Sequence, residues 1–114
     1  MNVVVLRGTL SSAPQVRELP SGSTVVSYEV TVRPDEGPAE TVPVSWFEAP
    51  PSATTLPPGC EVLVTGRVRR RFYRVEARTG SRTDVVAATV IPTRRRKQVA
   101  AALEQAVVAI DPDG

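Results

Sequence analysis

Residues 60–82 constrain the fold more than any other part of the chain. Apolar residues alternate at the start of this stretch, with Val62, Val64 and Val68 on one parity. A period of two indicates a β-strand with one buried face. The other parity carries Leu63, Thr65, Arg67, Arg69, Arg71 and Tyr73. The pattern therefore predicts a strand over residues 62–73 whose second face becomes strongly basic.

At a rise of about 3.3 Å per residue, such a strand spans ~40 Å, which is long for a small domain. Gly66 offers a bend, and the loss of apolar parity at Arg70 indicates a bulge or an exit from the body of the sheet. Three guanidinium groups and a phenol in one row form a surface that can follow phosphates and stack a base. The alternative is a solubilising edge strand, but acidic residues would serve that purpose equally and are almost absent here.

The remaining bulk properties favour one folded domain. A chain of 114 residues with 41% hydrophobic content is typical of a small globular protein. The single cysteine, Cys60, excludes an intramolecular disulfide framework and favours a reducing cytoplasm. No stretch approaches the ~20 apolar residues of a membrane span, and residues 1–10 lack the pattern of a signal peptide.

Charge is distributed unevenly along the chain. Residues 67–97 carry ten arginines and Lys97 against Glu76 and Asp84, which is a local balance of +9. Residues 1–66 and 98–114 are both acidic, so the net charge of the chain is only +2. Positive charge concentrated in about a quarter of the chain indicates a polyanion as partner.

Turn-forming residues divide the chain into further strands. Alternation predicts strands over residues 24–33 and 40–47, with a short extended segment over residues 15–19. Residues 2–10 and 82–91 are also predicted to be strands, but they carry apolar residues on both parities, which for residues 2–10 indicates burial on both sides or a second chain covering one side. Residues 76–81 are predicted to form the tip of a hairpin, with Gly80 at its turn. Four prolines within residues 48–59 oppose a full helix there, so we expect an irregular loop with at most one helical turn.

Two adjacent aromatic residues end the predicted strand over residues 40–47. Trp46 shares its parity with Val42 and Val44, and we interpret it as core. Phe47 then points outward, although a one-residue slip of register would exchange the two. Pro43 has no N–H to donate to a ladder, so this strand is expected to lie locally at an edge or bulge.

The C-terminal part is predicted to be helical. Residues 98–109 are rich in alanine, and an apolar stripe recurs at helical spacing in Val99, Leu103, Val107 and Ile110. We expect this stripe, if ordered, to pack on the strands of its own chain or on another subunit. Residues 1–92 are thus assigned to one domain, and residues 93–114 to a basic linker with a short helix or tail.

A spaced pattern near the N-terminus resembles a known family. The residues in the spacing G-x-L-x-x-x-P-x-V-R-x-x-P-x-G are Gly8, Leu10, Pro14, Val16, Arg17, Pro20 and Gly22. The likeness continues through residues 24–32, 59–69 and 80–87. Together these segments resemble the bacterial single-stranded DNA-binding protein family over residues 2–91. The resemblance implies an all-β fold, a five-stranded oligonucleotide-binding (OB) barrel.

The resemblance also implies a function and its residues. The family protects single-stranded DNA in replication, recombination and repair as a homo-oligomer, usually a tetramer in which first strands pair. Tyr73 stands where the family has a stacking tryptophan, and Phe47 where it has a stacking phenylalanine. Arg69 and Arg71 match positions that contact the strand. The full candidate DNA-binding set is Phe47, Arg67, Arg69, Arg71, Tyr73, Arg74, Arg78 and Arg82.

The chain departs from the family at three places. It has no aromatic residue where the family's other two tryptophans stand, near residues 34–36 and 41–42. Its end, Ile110-Asp-Pro-Asp-Gly, only faintly resembles the acidic, hydrophobic tip that recruits replication and repair enzymes. The resemblance implies replication and repair proteins as possible partners, but the chain has no clear acidic tip through which to recruit them.

Catalysis has no support in the sequence. There is no histidine, no metal-ligand cluster and no glycine-rich phosphate loop. We therefore expect a binding protein without cofactors that binds single-stranded DNA with little sequence preference. Two alternatives stay open: an OB barrel that serves protein contacts in a DNA-processing complex, and a binder of single-stranded RNA, because stacking and phosphate contacts do not distinguish the two nucleic acids.

Overall fold

The computed structural model describes residues 1–111. Most of these residues belong to six β-strands. One α-helix follows the last strand, and a short 3₁₀ helix lies in the proline-rich loop at Pro51–Thr54. The elements are β1 (Val4–Leu10), β2 (Gln15–Glu18), β3 (Thr24–Val32), β4 (Glu40–Phe47), β5 (Glu61–Val75), β6 (Arg78–Pro92) and α1 (Arg96–Ile110).

Five of these strands close into a ring. The order around it is β1, β5, β6, β4 and β3, and β3 returns to β1 through Thr9–Thr31 and Leu10–Val30. Strand β2 lies outside the ring and pairs only with β3. The parallel contact of β4 with β6 is confined to Val44 and Ser45. This architecture confirms the predicted five-stranded barrel.

Alternating side chains from all five strands fill the barrel. Val30, Val62 and Val64 are completely buried, and each such aliphatic side chain contributes about 1.5–3 kcal/mol to stability. Tyr28 lies in the same cluster, and its hydroxyl donates a 2.7 Å hydrogen bond to the carbonyl of Ala53 in the 3₁₀ helix. The proline-rich loop is thereby tied to the barrel.

A β-bulge divides the long strand β5 into two parts. Thr65 pairs with Thr89 but Gly66 pairs with Ala87, so β6 contributes one extra residue. Any side chain at residue 66 would collide with the carbonyl of Val86, which explains the glycine. The register shift thus lies at Gly66, where a bend was predicted. At Arg70, where a bulge or an exit from the sheet was predicted, the strand has left the barrel, because its ladder with β1 ends at Gly66.

The predicted faces of β5 are correct for Val62 and Val64, which are fully buried, and wrong for three other residues. Leu63 and Thr65, assigned to the open face, are buried. Leu63 packs beneath α1 with Ile91 and Ala102, so this part of the strand is covered on both sides. Val68, assigned to the core, is exposed because the strand has already left the barrel.

The C-terminal helix contacts the barrel with a different face from the one predicted. Ala102 and Ala106 are its buried residues, with Val99 partly buried beside them. Leu103, Val107 and Ile110 are exposed. The small alanine side chains allow close approach, so they, rather than the larger apolar stripe, form the contact. No helix within residues 1–111 has the length and apolar character needed to cross a membrane.

Candidate nucleic-acid interface

The outer halves of β5 and β6 form a hairpin that extends away from the barrel. The β1 ladder ends at Gly66, and the β4 ladder reaches only Val85 and Val86. Beyond those points the two strands pair only with each other, except that the Asn2 side chain bonds the backbone of Val68. Beyond Asp84, residues 70–83 are exposed except for Gly80, so this outer part of the hairpin is accessible on both faces.

Cross-strand register defines the two faces of the hairpin. The tyrosine face, as we call it, carries Arg67, Arg69, Arg71 and Tyr73 of β5 with Arg78, Gly80, Arg82 and Asp84 of β6. The phenylalanine face carries Arg70, Phe72 and Arg74 of β5 with Thr79, Ser81 and Thr83 of β6. Seven of the eight predicted site residues lie on or beside the tyrosine face, and Arg74 lies on the other.

The hairpin turn differs from the predicted one. It consists of Glu76 and Ala77 alone, both with positive φ (51° and 65°), between the paired residues Val75 and Arg78. Two residues with positive φ are the geometry of a tight type I′ hairpin connection, for which Asn-Gly is the usual sequence. Gly80, predicted at the turn, lies inside β6 instead.

Gly80 has another function, which is to make room for Tyr73. The two residues are opposite each other, and a Cβ at residue 80 would lie 2.5 Å from Cζ of the Tyr73 ring. The ring therefore lies across the bare backbone of β6. It remains 52% exposed, so a second planar group has access to it.

Asp84 organises the arginines at the base of the tyrosine face. Its carboxylate is 1% exposed and accepts two hydrogen bonds from Arg69, Nε to Oδ1 at 3.1 Å and Nη2 to Oδ2 at 2.8 Å. Nη2 of Arg71 lies 3.5 Å from Oδ2, and Oγ of Ser45 donates to Oδ2 at 3.4 Å. A bidentate arginine pair is among the strongest hydrogen-bonded contacts.

This arrangement determines the ionisation of Asp84. Burial alone would raise the pKa of its carboxyl, but the hydrogen bonds and charge of Arg69, with Arg71 and Ser45, outweigh burial and lower the pKa below the ordinary 3.8. A depressed folded-state pKa contributes stability above the unfolded-state value, and that stability is lost as pH falls through the folded value.

We expect Asp84→Asn to lower the free energy of unfolding at pH 7 by about 1–3 kcal/mol, because charged hydrogen bonds to Arg69 are lost. The variant should also lose part of the wild-type decline in stability below about pH 4. Urea unfolding at a series of pH values measures both effects. The matched control is Glu29→Gln, whose exposed carboxylate lies 4.0 Å from Arg82 and should contribute about 0–1 kcal/mol. An unchanged acid decline in Asp84→Asn would contradict the assignment.

Phe47, the last residue of β4, lies beside Arg69, which is bound to Asp84. It is 37% exposed, while Trp46 is partly buried against the barrel core, so the predicted register of this strand is confirmed. The Arg69 guanidinium carbon lies 5.4 Å from the centre of the Phe47 ring, in cation–π range. Arg69 therefore joins Asp84 to Phe47, and part of its charge is neutralised within the protein.

The other predicted arginines differ in their surroundings. Arg82 approaches Glu29 at 4.0 Å, and Arg67 borders the cleft between the barrel and α1. Arg78 lies next to the turn, opposite Val75. Among residues 1–111 the hairpin arginines without a carboxylate in salt-bridge distance are Arg67, Arg70, Arg74 and Arg78.

Sequence reasoning missed three contributors to this surface: Asp84, Gly80 and Phe72. The sequence presents Asp84 only as an acid in a basic stretch, although its spacing from Arg82 by two residues puts it on the same strand face. Phe72 is 71% exposed, but it is Tyr73 next to it that matches a stacking position of the family. No cluster that could hold a metal occurs among the described 111 residues.

A five-stranded barrel with a basic, aromatic hairpin defines an OB-fold protein with a surface suited to single-stranded nucleic acid. The profile of the single-strand binding protein family matches residues 1–93. The chain therefore belongs to the single-strand binding protein family.

A solved structure supports the fold. The structure of a Plasmodium falciparum SSB complex with ssDNA is similar to this chain, with a TM-score of 0.71 at 14% sequence identity. The match covers 80% of this chain and 93% of that one. No curated protein matches the sequence significantly.

Proposed function

We propose that this protein binds single-stranded DNA with little sequence preference and protects it during replication, recombination or repair. The observation that carries the proposal is the tyrosine face, where arginines and two exposed aromatic rings share one surface. Membership of the single-strand binding protein family supports it, as does the likeness to an SSB in complex with ssDNA. Base stacking and phosphate contacts by these residues need neither a cofactor nor a catalytic step.

The proposed roles follow from the surroundings of each side chain. Tyr73 and Phe47 stack bases, because every base has a π-face and stacking tolerates any sequence. Arg71 and Arg82 contact phosphates beside them, with Arg67 at one end of the face and Arg78 at the other. Arg69, held by Asp84 through two hydrogen bonds, supports the Phe47 ring and presents its remaining N–H groups to the strand.

A titration of fluorescent oligo(dT) at two salt concentrations tests the proposal. If about four phosphates are neutralised, one each by Arg67, Arg71, Arg78 and Arg82, affinity should fall about 50-fold between roughly 0.05 and 0.2 M salt, at about −0.7 in log–log slope per phosphate. Anisotropy of the labelled oligonucleotide measures the dissociation constant directly.

Other outcomes of the titration distinguish the alternatives. Absence of binding at low salt would contradict the proposal and favour an OB barrel used for protein contacts. Tighter binding to oligo(U) than to oligo(dT) would favour RNA as the natural ligand, since the 2′-OH is what distinguishes the two.

We further propose that the protein acts as a homo-oligomer, a dimer or tetramer, in a reducing compartment such as the cytoplasm. Among residues 1–111, residues 4–8 of β1 pair with β5 alone, so the second edge of this strand is unpaired within the described part of the chain. Unpaired edges recruit strands from other chains, and Val5 on β1 is exposed. Residues 1–92 form the binding domain in this proposal, with residues 93–114 as its tail. Elution at the monomer mass in size-exclusion chromatography would contradict the oligomer.

A further inference from the structure

The phenylalanine face of the hairpin has the chemistry of a second nucleic-acid surface. Arg70, Phe72 and Arg74 alternate along β5, so the aromatic ring stands between two guanidinium groups. All three side chains are exposed, and Phe72 at 71% is more exposed than Tyr73 at 52%. A large apolar ring that contacts so little protein has no structural role in the hairpin itself.

Charge on this face is less neutralised than on the tyrosine face. Arg69 and Arg71 share Asp84, and Arg82 approaches Glu29. Arg70 and Arg74 have no carboxylate within salt-bridge distance among residues 1–111. The β6 residues opposite are Thr83, Ser81 and Thr79, which add hydroxyl donors and no negative charge. A polyanion therefore meets an uncompensated positive surface here.

The Phe72 ring also has a guanidinium group as its neighbour. The guanidinium carbon of Arg70, two residues away on the same face, lies 5.9 Å from the centre of the ring, within cation–π range. This contact mirrors the contact of Arg69 with Phe47 on the tyrosine face. A guanidinium beside a ring offers two adjoining planar groups on which bases stack, with charge available for the phosphate between them.

We propose that the phenylalanine face binds a second segment of the same single strand, so that the nucleic acid contacts both sides of the β5–β6 hairpin. The inference rests on the proposed function and adds to it a second track built from Arg70, Phe72 and Arg74. A protein-docking surface would instead require apolar neighbours around Phe72, and register places hydroxyls and arginines there. With this second track, each protomer covers more nucleotides of the single strand than it would through the tyrosine face alone.

Binding of two oligonucleotide lengths to full-length Phe72→Ala tests this inference. A short oligo(dT) of about 8 nucleotides lies within the site size of one OB fold, and a long one of about 30 exceeds it. We expect Phe72→Ala to weaken binding of the long strand by about fivefold or more, the loss of one base stack. Binding of the short strand should change by less than about twofold, and the occluded length per protomer should decrease.

The matched control is Val16→Ala, which removes another exposed apolar side chain, from β2, and should leave both affinities unchanged. Wild-type binding of the long strand by Phe72→Ala would overturn the second track. A shift of Phe72→Ala to a smaller assembly with unaltered binding would also overturn it, because the ring would then contact another protomer. Failure of the proposed function itself is recognised separately, because the wild-type protein would then bind neither length.

Discussion

Tyr73→Ala is expected to weaken binding of oligo(dT) at low salt by about 5- to 100-fold, which is the effect of removing one base–aromatic stack. The ring is 52% exposed and contacts the backbone of Gly80 at the far end of the hairpin, so the melting temperature should hardly change. Anisotropy titration gives the affinity and thermal unfolding gives the control on stability. Loss of affinity without loss of stability is the signature of a ligand contact.

Two further variants test the Tyr73 hydroxyl and the position of the Tyr73 ring separately. Tyr73→Phe keeps the ring and should bind within about twofold of the wild type if stacking, not the hydroxyl, carries the contact. Gly80→Ala keeps Tyr73 but places a methyl group where the ring lies, so it should displace the ring and weaken binding. Full affinity in Tyr73→Ala would show that bases do not stack at this position.

Tyr28→Ala is expected to lower the free energy of unfolding by about 3–5 kcal/mol, as truncation of buried aromatic residues does. Tyr28 is 2% exposed and belongs to the barrel core. Its hydroxyl also holds the 3₁₀ helix through the carbonyl of Ala53, and burial raises the pKa of the phenol, which keeps it a donor. Urea unfolding followed by circular dichroism measures the change.

Tyr28→Phe removes the hydroxyl and keeps the ring. It should lower the free energy of unfolding by about 1–2 kcal/mol, because the carbonyl of Ala53 loses its hydrogen-bond partner. Val16→Ala, a truncation on the surface of β2, should stay within about 0.5 kcal/mol of the wild type. Trp46 is only partly buried, so Trp46→Ala is expected to cost less than Tyr28→Ala. A Tyr28→Ala protein as stable as the wild type would mean that this ring is not part of the core.

Local patterns in the chain were sufficient to predict the strands, and the resemblance to the single-stranded DNA-binding protein family implied the barrel. Alternation in β3 and β4, and the parity of Val62 and Val64 in β5, identifies residues whose burial is decided by the two-residue period of a strand. Gly66 was predicted as a bend, and the register shift lies there because a bare backbone is required where two strands approach closely. The same reasoning separated Trp46 from Phe47, and the structure agrees.

Positions determined by packing between distant elements were not predictable. Leu63 is buried because α1 happens to cover it, and the helix uses Ala102 and Ala106 because close approach favours small side chains. The turn at Glu76 and Ala77 adopts positive φ without glycine or asparagine, so its sequence carried no signal. Gly80 was predicted to lie in a turn because glycine is common there. In the structure it lies within β6, where the absence of a side chain leaves space for the Tyr73 ring.

The sequence by itself determined a basic, aromatic strand in an all-β chain, because residue order alone decides charge and parity, and its resemblance to a known family implied the OB barrel. Only the tertiary structure decided which arginines are free. Asp84 lies fifteen residues from Arg69 in sequence, and pairing of β5 with β6 brings its carboxylate within 2.8 Å of that guanidinium. The same pairing leaves Arg70, Phe72 and Arg74 facing solvent beside hydroxyls. Charge neutralisation depends on distances of a few ångströms, and those distances exist only once the strands have paired.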